Sequence, residues 1–263
     1  MPLRAALDAG DLQKAVRLGE EAVAADPGSS EARDLLGRAY GLTARDATLL
    51  QQMHMARKAR ACFARAVELD PANVAALSDL ARYDMQAPGV LGGGKKKARE
   101  LIDRVLVLDP ERGHVLLGEL ALQERRPSDA EAEFRRAAAA APAGDRGRRA
   151  LSDLLVSQKR YGEARVVWIE ARELEPTATP AYELAAIALA SGEELEDAAR
   201  RLEAGLSKAS SDDGPTSADL HECLSDVYEK LGRPREAAVE LEAAVTLEPG
   251  RSDWRRRLER LEK

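Results

Sequence analysis

Residues Gly89 to Lys95 read Gly-Val-Leu-Gly-Gly-Gly-Lys, which satisfies the G-x-x-x-x-G-K spacing of a phosphate-cradling loop. In such a loop, backbone N–H groups surround the phosphates, the lysine reaches the terminal ones, and a following Ser or Thr holds magnesium. Lys96 stands where that hydroxyl is needed, and the pattern upstream is helical where a nucleotide site needs a β-strand. Nucleotide hydrolysis is therefore not expected. The alternative is a glycine-rich inter-helix loop that ends at a helix start, with Gly92, Gly93, Gly94, Lys95, Lys96 and Lys97 at its mouth. Free N–H groups and ammonium groups there could hold an anion or a partner's carboxylate. Three lysines oppose the helix dipole at that end, a cost that points to some use for the loop beyond connection.

The other reactive side chains are sparse. His114 and His221 occupy the same place in two similar segments, facing a neighbouring helix, so both read as packed structural histidines; His54 lies elsewhere. No H-E-x-x-H, G-x-S-x-G or His–Cys cluster occurs. Cys62 and Cys223 cannot build a disulfide framework. The numerous carboxylates fall on amphipathic patterns, where they serve as a solvated face. With no constellation for acid–base or nucleophilic chemistry, the chain is not expected to be an enzyme or to need a metal or cofactor.

The elements that carry these residues follow from composition. Of 263 residues, 44% are hydrophobic but only 3% aromatic, so Ala and Leu supply the apolar share, and 33% are charged. Abundant Ala, Leu, Glu and Arg with few β-branched residues is an all-α profile, and it excludes a β-sandwich or barrel. The net charge of −6, from 40 basic and 46 acidic residues, argues against a dedicated nucleic-acid binder. No apolar run is long enough to span a membrane. The start, Met-Pro-Leu-Arg-Ala-Ala-Leu, lacks the basic and long apolar regions of a signal peptide.

Acid–proline dipeptides recur at Asp26-Pro27, Asp70-Pro71, Asp109-Pro110, Glu175-Pro176 and Glu248-Pro249, with Ala141-Pro142 between them. Twelve residues before each proline stands an alanine: Ala15, Ala59, Ala98, Ala130, Ala164 and Ala237. Four later comes a large apolar residue in most of them (Phe63, Ile102, Phe134, Trp168, Leu241), then usually a second Ala (Ala22, Ala66, Ala137, Ala171, Ala244). That spacing places all three on one helix face, with Ala where two backbones approach, and the proline falls just past the helix end. An upstream helix carries small-beside-large pairs, Leu36-Gly37, Leu117-Gly118, Leu151-Ser152 and Leu224-Ser225, and Gly10, Gly192 or Gly232 marks the turn between the two.

A helix–turn–helix unit of about 34 residues with this pattern resembles the tetratricopeptide repeat. The resemblance covers nearly the whole chain and implies a right-handed all-α solenoid, a single array over 1–263. The approximate repeats are 1–29 (partial), 30–73, 74–110, 111–144, 145–178, 179–217 and 218–251, closed by a capping helix over 252–263. Trp254, Leu258 and Leu261 anchor that cap, which an open-ended array needs for solubility. In the sixth repeat Ser210 replaces the closing proline and a polar insert follows. The half-present first repeat implies that upstream residues were trimmed. The 30–73 repeat carries an extra stretch near 43–55 that, with Asp46 or Thr48 as N-cap, gives a helix running from about 48 to 69. Its Leu49, Leu50, Met53 and Met55 either pack on a neighbouring helix or form an adaptable contact for a partner.

The loop that begins Ala87-Pro88 and ends Gly92-Gly93-Gly94, together with that long helix, is similar to a set of bacterial tetratricopeptide proteins, often exported. The similarity implies a bacterial scaffold, periplasmic or exported if a leader was trimmed and cytoplasmic otherwise. It transfers no catalytic residue.

The resemblance also implies where a ligand sits, on the concave wall made by the first helix of each pair. Carried onto this chain, the family's groove positions are Asp34 and Arg38; Ser78, Arg82 and Met85; Arg112, Val115, Glu119 and Leu122; Arg146, Arg149, Asp153 and Val156; Glu183, Ile187 and Ala190; and Asp219, Glu222, Asp226 and Glu229. The first two-thirds hold the arginines and the last third is acidic. Arginine forks grip carboxylates, so an acidic or C-terminal peptide fits the first part, unless the charges merely solvate the wall. The Lys/Asn set by which some relatives clamp the C-terminal peptide of heat-shock chaperones is not reproduced. The expected function is a non-catalytic scaffold that binds a protein or peptide in the groove, with no nucleic acid and no membrane span. A self-associating structural or envelope-assembly protein is the alternative, and an anion- or nucleotide-responsive module through the 86–97 loop is a third.

Overall fold

Asp26, Asp70, Asp109 and Glu248 each end a helix in extended or bent backbone in the computed structural model, with a proline next in sequence. The structure describes residues 2–44, 48–142, 144–174, 177–207, 209 and 214–261. Among these residues the chain is all-helical. Seven pairs follow one another: α1 (Pro2–Asp8) with α2 (Leu12–Ala25), α3 (Ser30–Thr43) with α4 (Leu49–Leu69), α5 (Val74–Gln86) with α6 (Lys95–Leu108), α7 (Pro110–Gln123) with α8 (Pro127–Ala140), α9 (Arg146–Ser157) with α10 (Tyr161–Leu174), α11 (Thr179–Ser191) with α12 (Leu195–Leu206), and α13 (Ser217–Lys230) with α14 (Pro234–Leu247). A last helix, α15 (Ser252–Leu261), closes the array. Asp46, the pair Glu175-Pro176, Ser210 and residues 211–213 of the polar insert lie outside the described residues.

The repeat pattern becomes a packing pattern. Ala15, Ala59, Ala98, Ala130, Ala164 and Ala237 are fully buried, and Phe63, Ile102, Phe134, Trp168 and Leu241 lie in the core beside them. The small residues of the first helices receive these large ones. A methyl group added at Gly37 would stand 2.6 Å from the Phe63 ring, and at Gly118 2.2 Å from the Phe134 ring. Ser225, at the corresponding place, donates from its hydroxyl to the Ala237 carbonyl at 2.8 Å. Ser29, Asn73, Asp109 and Thr216 cap the N-termini of α3, α5, α7 and α13 with side-chain oxygens, each such cap contributing about 1 kcal/mol. Asp109 also ends α6, so Pro110 opens α7 in the first-turn position that its missing N–H tolerates.

Gly10, Gly192 and Gly232 turn within their pairs at positive φ. Arg125 and Lys159 adopt the same left-handed conformation at φ 58° and 59° after α7 and α9, where the sequence offers no glycine. Helix α4 runs 21 residues from Leu49 behind the N-cap Thr48, whose N–H and hydroxyl both donate to Gln51 Oε1. Leu49 and Leu50 at its start are exposed, whereas Met55 packs against the core.

The chain packs as two units, Met1–Ala140 and Ala141–Lys263. In the first, one core runs from Leu36 through Phe63, Leu77 and Ile102 to Leu120. In the second, Ala185, Leu202, Leu220, Leu224 and Val227 share one cluster, and Trp254 of α15 joins Ala218, Leu241 and Ala244 in another.

Candidate functional site

In the first unit α1, α3, α5 and α7, the leading helices of their pairs, lie side by side in that order. Ser78, Met85 and Val115, expected on the groove wall, are instead buried, and the Ser78 hydroxyl donates to the Val74 carbonyl at 2.6 Å. The turn of α5 that buries Ser78 brings Asp79 to the face. Asp79 meets Arg38 at 3.5 Å and Arg82 at 3.7 Å. Arg82 forks onto Glu119, with Nε and Nη2 each 2.9 Å from one carboxylate oxygen. Arg112, in the first turn of α7, sits 3.6 Å from Asp109. Arg38, Arg82, Arg112 and Glu119 thus come together on one face with Asp79 at their centre.

Asp34 lies beneath this network at 3% exposure, and its Oδ1 has no hydrogen-bond partner. Burial, reinforced by the charge of Asp79, pushes its carboxyl up to about 7, against the pull of Arg38 and Arg112. Burial also raises Asp79 despite three neighbouring guanidinium groups, Arg38, Arg82 and Arg112. Two carboxylates on this face are therefore desolvated further than their cations offset.

The second unit treats its acids differently. Arg149 Nε donates to Glu183 Oε1 at 2.7 Å, while Asp153 and Glu183 are both raised by burial. Arg146 is exposed at the start of α9, and Ile187 is buried. The acidic stretch of α13 does not stand open. Arg257 of α15 reaches back to Glu222 at 3.5 Å, to Asp226, and to Glu229 with Nε at 2.5 Å.

Lys95 and Lys97 of the glycine-rich loop have partners. The Gly92, Gly93 and Gly94 amides donate to the carbonyls of Gly89, Pro88 and Asp84, so all three are used within the loop. A side chain at Gly93 would run into the Ala87 carbonyl at 1.9 Å, and Gly92, at φ 91°, gives room to Arg60, which binds Asp84 at 3.2 Å. Lys97 Nζ donates to the Gly92 carbonyl at 3.0 Å, and Lys95 faces Glu124 at 3.7 Å. Lys96 is exposed.

His114 and His221 each meet a glutamate nineteen residues on, Glu133 at 2.8 Å and Glu240 at 2.6 Å, tying the two helices of α7–α8 and of α13–α14 together. Cys62 and Cys223 are free thiols, and burial pushes Cys223 far above the ordinary range. No group of three or more metal-ligating side chains occurs among the described residues, and no helix there is long and apolar enough to cross a membrane.

Sequence reasoning missed two members of these networks. Asp79 is one position from the family's groove register, although its spacing of three from Arg82 was legible. Arg257 was hidden among the charges of a helix read only for its apolar anchors.

Comparison with known proteins bears on the fold. Family models described as tetratricopeptide repeat match residues 92–145, 115–178 and 223–251. Among solved structures, yeast Tom70 superposes with a TM-score of 0.60 at 17% identity, over 97% of this chain and 59% of its own, so this chain spans less than two-thirds of its length. A tetratricopeptide repeat protein from Parabacteroides merdae gives 0.53 at 16% identity, over all of this chain and 96% of its own. A chain of the APC/C hetero-tetramer Cut9–Hcn1 gives 0.51 at 16%, over 99% of this chain and 48% of its own. No curated protein matches the sequence.

Proposed function

This chain is a tetratricopeptide-repeat protein, and we propose that it is a non-catalytic scaffold that holds an extended peptide or a partner helix on the leading-helix faces of its repeats. Proteins of this fold are generally protein-interaction scaffolds. The observation that carries the reading here is the charged face of the first unit, where Arg38, Asp79, Arg82, Arg112 and Glu119 share one surface above the buried Asp34 and two carboxylates are desolvated. Ordinary surface charges stay in water, because removing them from it is expensive. A partner that completes the network offsets that cost.

Display of random peptides against the full chain tests this. Selected peptides are expected to slow amide exchange in α3, α5 and α7, and their affinity is expected to change at least tenfold, in the direction their own charge sets, when Arg38, Arg82 and Arg112 are all changed to Glu, a change equal to about 1.4 kcal/mol. Protection confined to other helices, or affinity unchanged in the triple variant, would remove the face from consideration.

One observation favours self-association as a second reading. Leu49 and Leu50, at the start of the long α4, and Val90 in the loop packed against that helix are 73%, 80% and 79% exposed. Light scattering across the micromolar range decides it, since a monomer throughout would end that reading.

A further inference from the structure

We infer that the leading-helix face of the first unit takes a basic side chain, a lysine or arginine of the bound peptide, between Asp34 and Asp79, in the place Arg38 holds in the free chain. The inference rests on the scaffold reading above and gives that face a ligand chemistry opposite to the one the arginines first imply.

Each of the three arginines on this face already meets a carboxylate: Arg38 with Asp79, Arg82 with Glu119 and Asp79, Arg112 with Asp109. An acidic peptide would only exchange one carboxylate for another. The unmet demand is for donors. Asp34 Oδ1 is buried with no partner, and an ionised carboxylate accepts hydrogen bonds without donating any. Burial holds both Asp34 and Asp79 up against their nearby guanidinium groups, and Glu31 and Glu119 add further negative charge. The face is short of positive charge at one point.

That point has a displaceable occupant. Arg38 is 54% exposed and reaches Asp79 through one long contact, whereas Arg82 is fixed by a two-point fork on Glu119. A side chain four residues along a helix lies over the earlier one, so Arg38 follows Asp34 on the same face of α3. When Arg38 swings into solvent, an incoming ammonium or guanidinium meets Asp79 and gains access to Asp34 beneath it. Arg82, Arg112 and Glu119 stay in place as the frame.

The two ligand chemistries give opposite signs for one substitution, which supplies the test. Fluorescein-labelled decalysine and decaglutamate are titrated by anisotropy, at physiological salt, into the full chain and its Arg38→Gln, Asp34→Asn and Glu68→Gln variants. Glu68, on α4 and paired with Arg65, serves as a remote acid. Decalysine is expected to bind roughly threefold more tightly to Arg38→Gln, about tenfold more weakly to Asp34→Asn, and unchanged to Glu68→Gln. Weaker or unchanged decalysine binding in Arg38→Gln overturns the inference, as does equal loss in Asp34→Asn and Glu68→Gln. Decaglutamate binding that Arg38→Gln weakens also overturns it, but leaves the scaffold reading standing with an acidic ligand. If neither peptide responds to Arg38→Gln or Asp34→Asn, both readings of this face fall. Should Asp34→Asn not fold by circular dichroism, the sign of the Arg38→Gln effect decides alone.

Discussion

Both units bury carboxylates along a leading helix, and they differ in what answers the charge. In the second unit the chain brings its own cation. Arg257 arrives from α15, where the leading helix of a further repeat would begin, and engages Glu222, Asp226 and Glu229 together. In the first unit Asp34 and Asp79 share three arginines, of which Arg82 is also committed to Glu119 and Arg112 to Asp109, and Asp34 keeps an oxygen without a partner. One face is closed by a plug built into the sequence, and the other is left one donor short. A repeat array can thus end its acidic surface internally while keeping another stretch of it for an outside ligand.

The plug depends on the seating of α15, so Trp254→Ala is the strongest way to break the comparison. The indole is 3% exposed against Ala218, Leu241 and Ala244, with the Arg251 guanidinium over its ring. Truncation is expected to remove about 3–5 kcal/mol, read by urea unfolding, with amide exchange rising first in α13 to α15. Deleting residues 251–263 should do the same and promote aggregation by baring the seventh repeat. Unchanged unfolding and solubility would show that α15 is not a cap.

Arg257→Ala removes the plug and leaves the anchor. Three carboxylates then face one another without their shared cation, at an expected cost of about 2–3 kcal/mol, since the guanidinium is largely buried. Burial already raises Glu222 and Asp226, and losing Arg257 raises them further. A carboxyl whose folded pKa is raised penalises the folded state once pH exceeds its unfolded value, so this defect should shrink as pH falls toward 4. The variant should also gain decalysine binding on the second unit, mapped by protection of α13. Without that gain, the plug does not explain the difference between the faces.

Asp34→Asn tests the unplugged side. With a folded pKa of about 7 against an unfolded 3.8, Asp34 destabilises the fold by up to about 4 kcal/mol above pH 7, and by nothing below pH 4. Asparagine removes the charge but keeps a buried polar group, which returns part of that gain. The expected result is a net stabilisation of about 1–2 kcal/mol at pH 8 that disappears by pH 4. A destabilised variant at pH 8 would mean that Asp34 is already paired in solution.

How much of this the sequence carried depends on the kind of signal. The helix pairs were legible because Ala15, Ala59, Ala98 and their successors must be small where backbones meet, and the prolines must follow helix ends. The left-handed turns at Arg125 and Lys159 were not, because local helix-end hydrogen bonds, from the Arg126 N–H to the Ala121 carbonyl and from the Arg160 N–H to the Leu155 carbonyl, close them on residue types that do not advertise the conformation. Which side chains of the leading helices face outward was not fully legible: Ser78, Met85, Val115 and Ile187 are buried, and on α5 it is Asp79, next to Ser78, that turns outward. Arg257 could be found only through its partners on α13, a contact between α13 and α15 that no local period encodes.

The smallest expected effect compares the ion pairs that frame the faces. Arg82 grips Glu119 with two nitrogens, whereas Arg149 reaches Glu183 through Nε at 2.7 Å. Both arginines are at least a third exposed, so screening limits each pair to a coupling of about 0.5–1 kcal/mol. A fork adds a second charge-assisted bond at little extra loss of freedom, because the guanidinium is planar and already held. Double-mutant cycles with Arg82→Gln and Glu119→Gln, and with Arg149→Gln and Glu183→Gln, should therefore give the larger coupling in the first unit. Raising salt to 1 M should shrink both couplings, as screening of exposed charges requires. Equal couplings in both units would mean that the Arg82–Glu119 fork does not hold in solution. Arg82 would then be as free as Arg38 to leave the face, and the basic ligand would have two cations to displace instead of one.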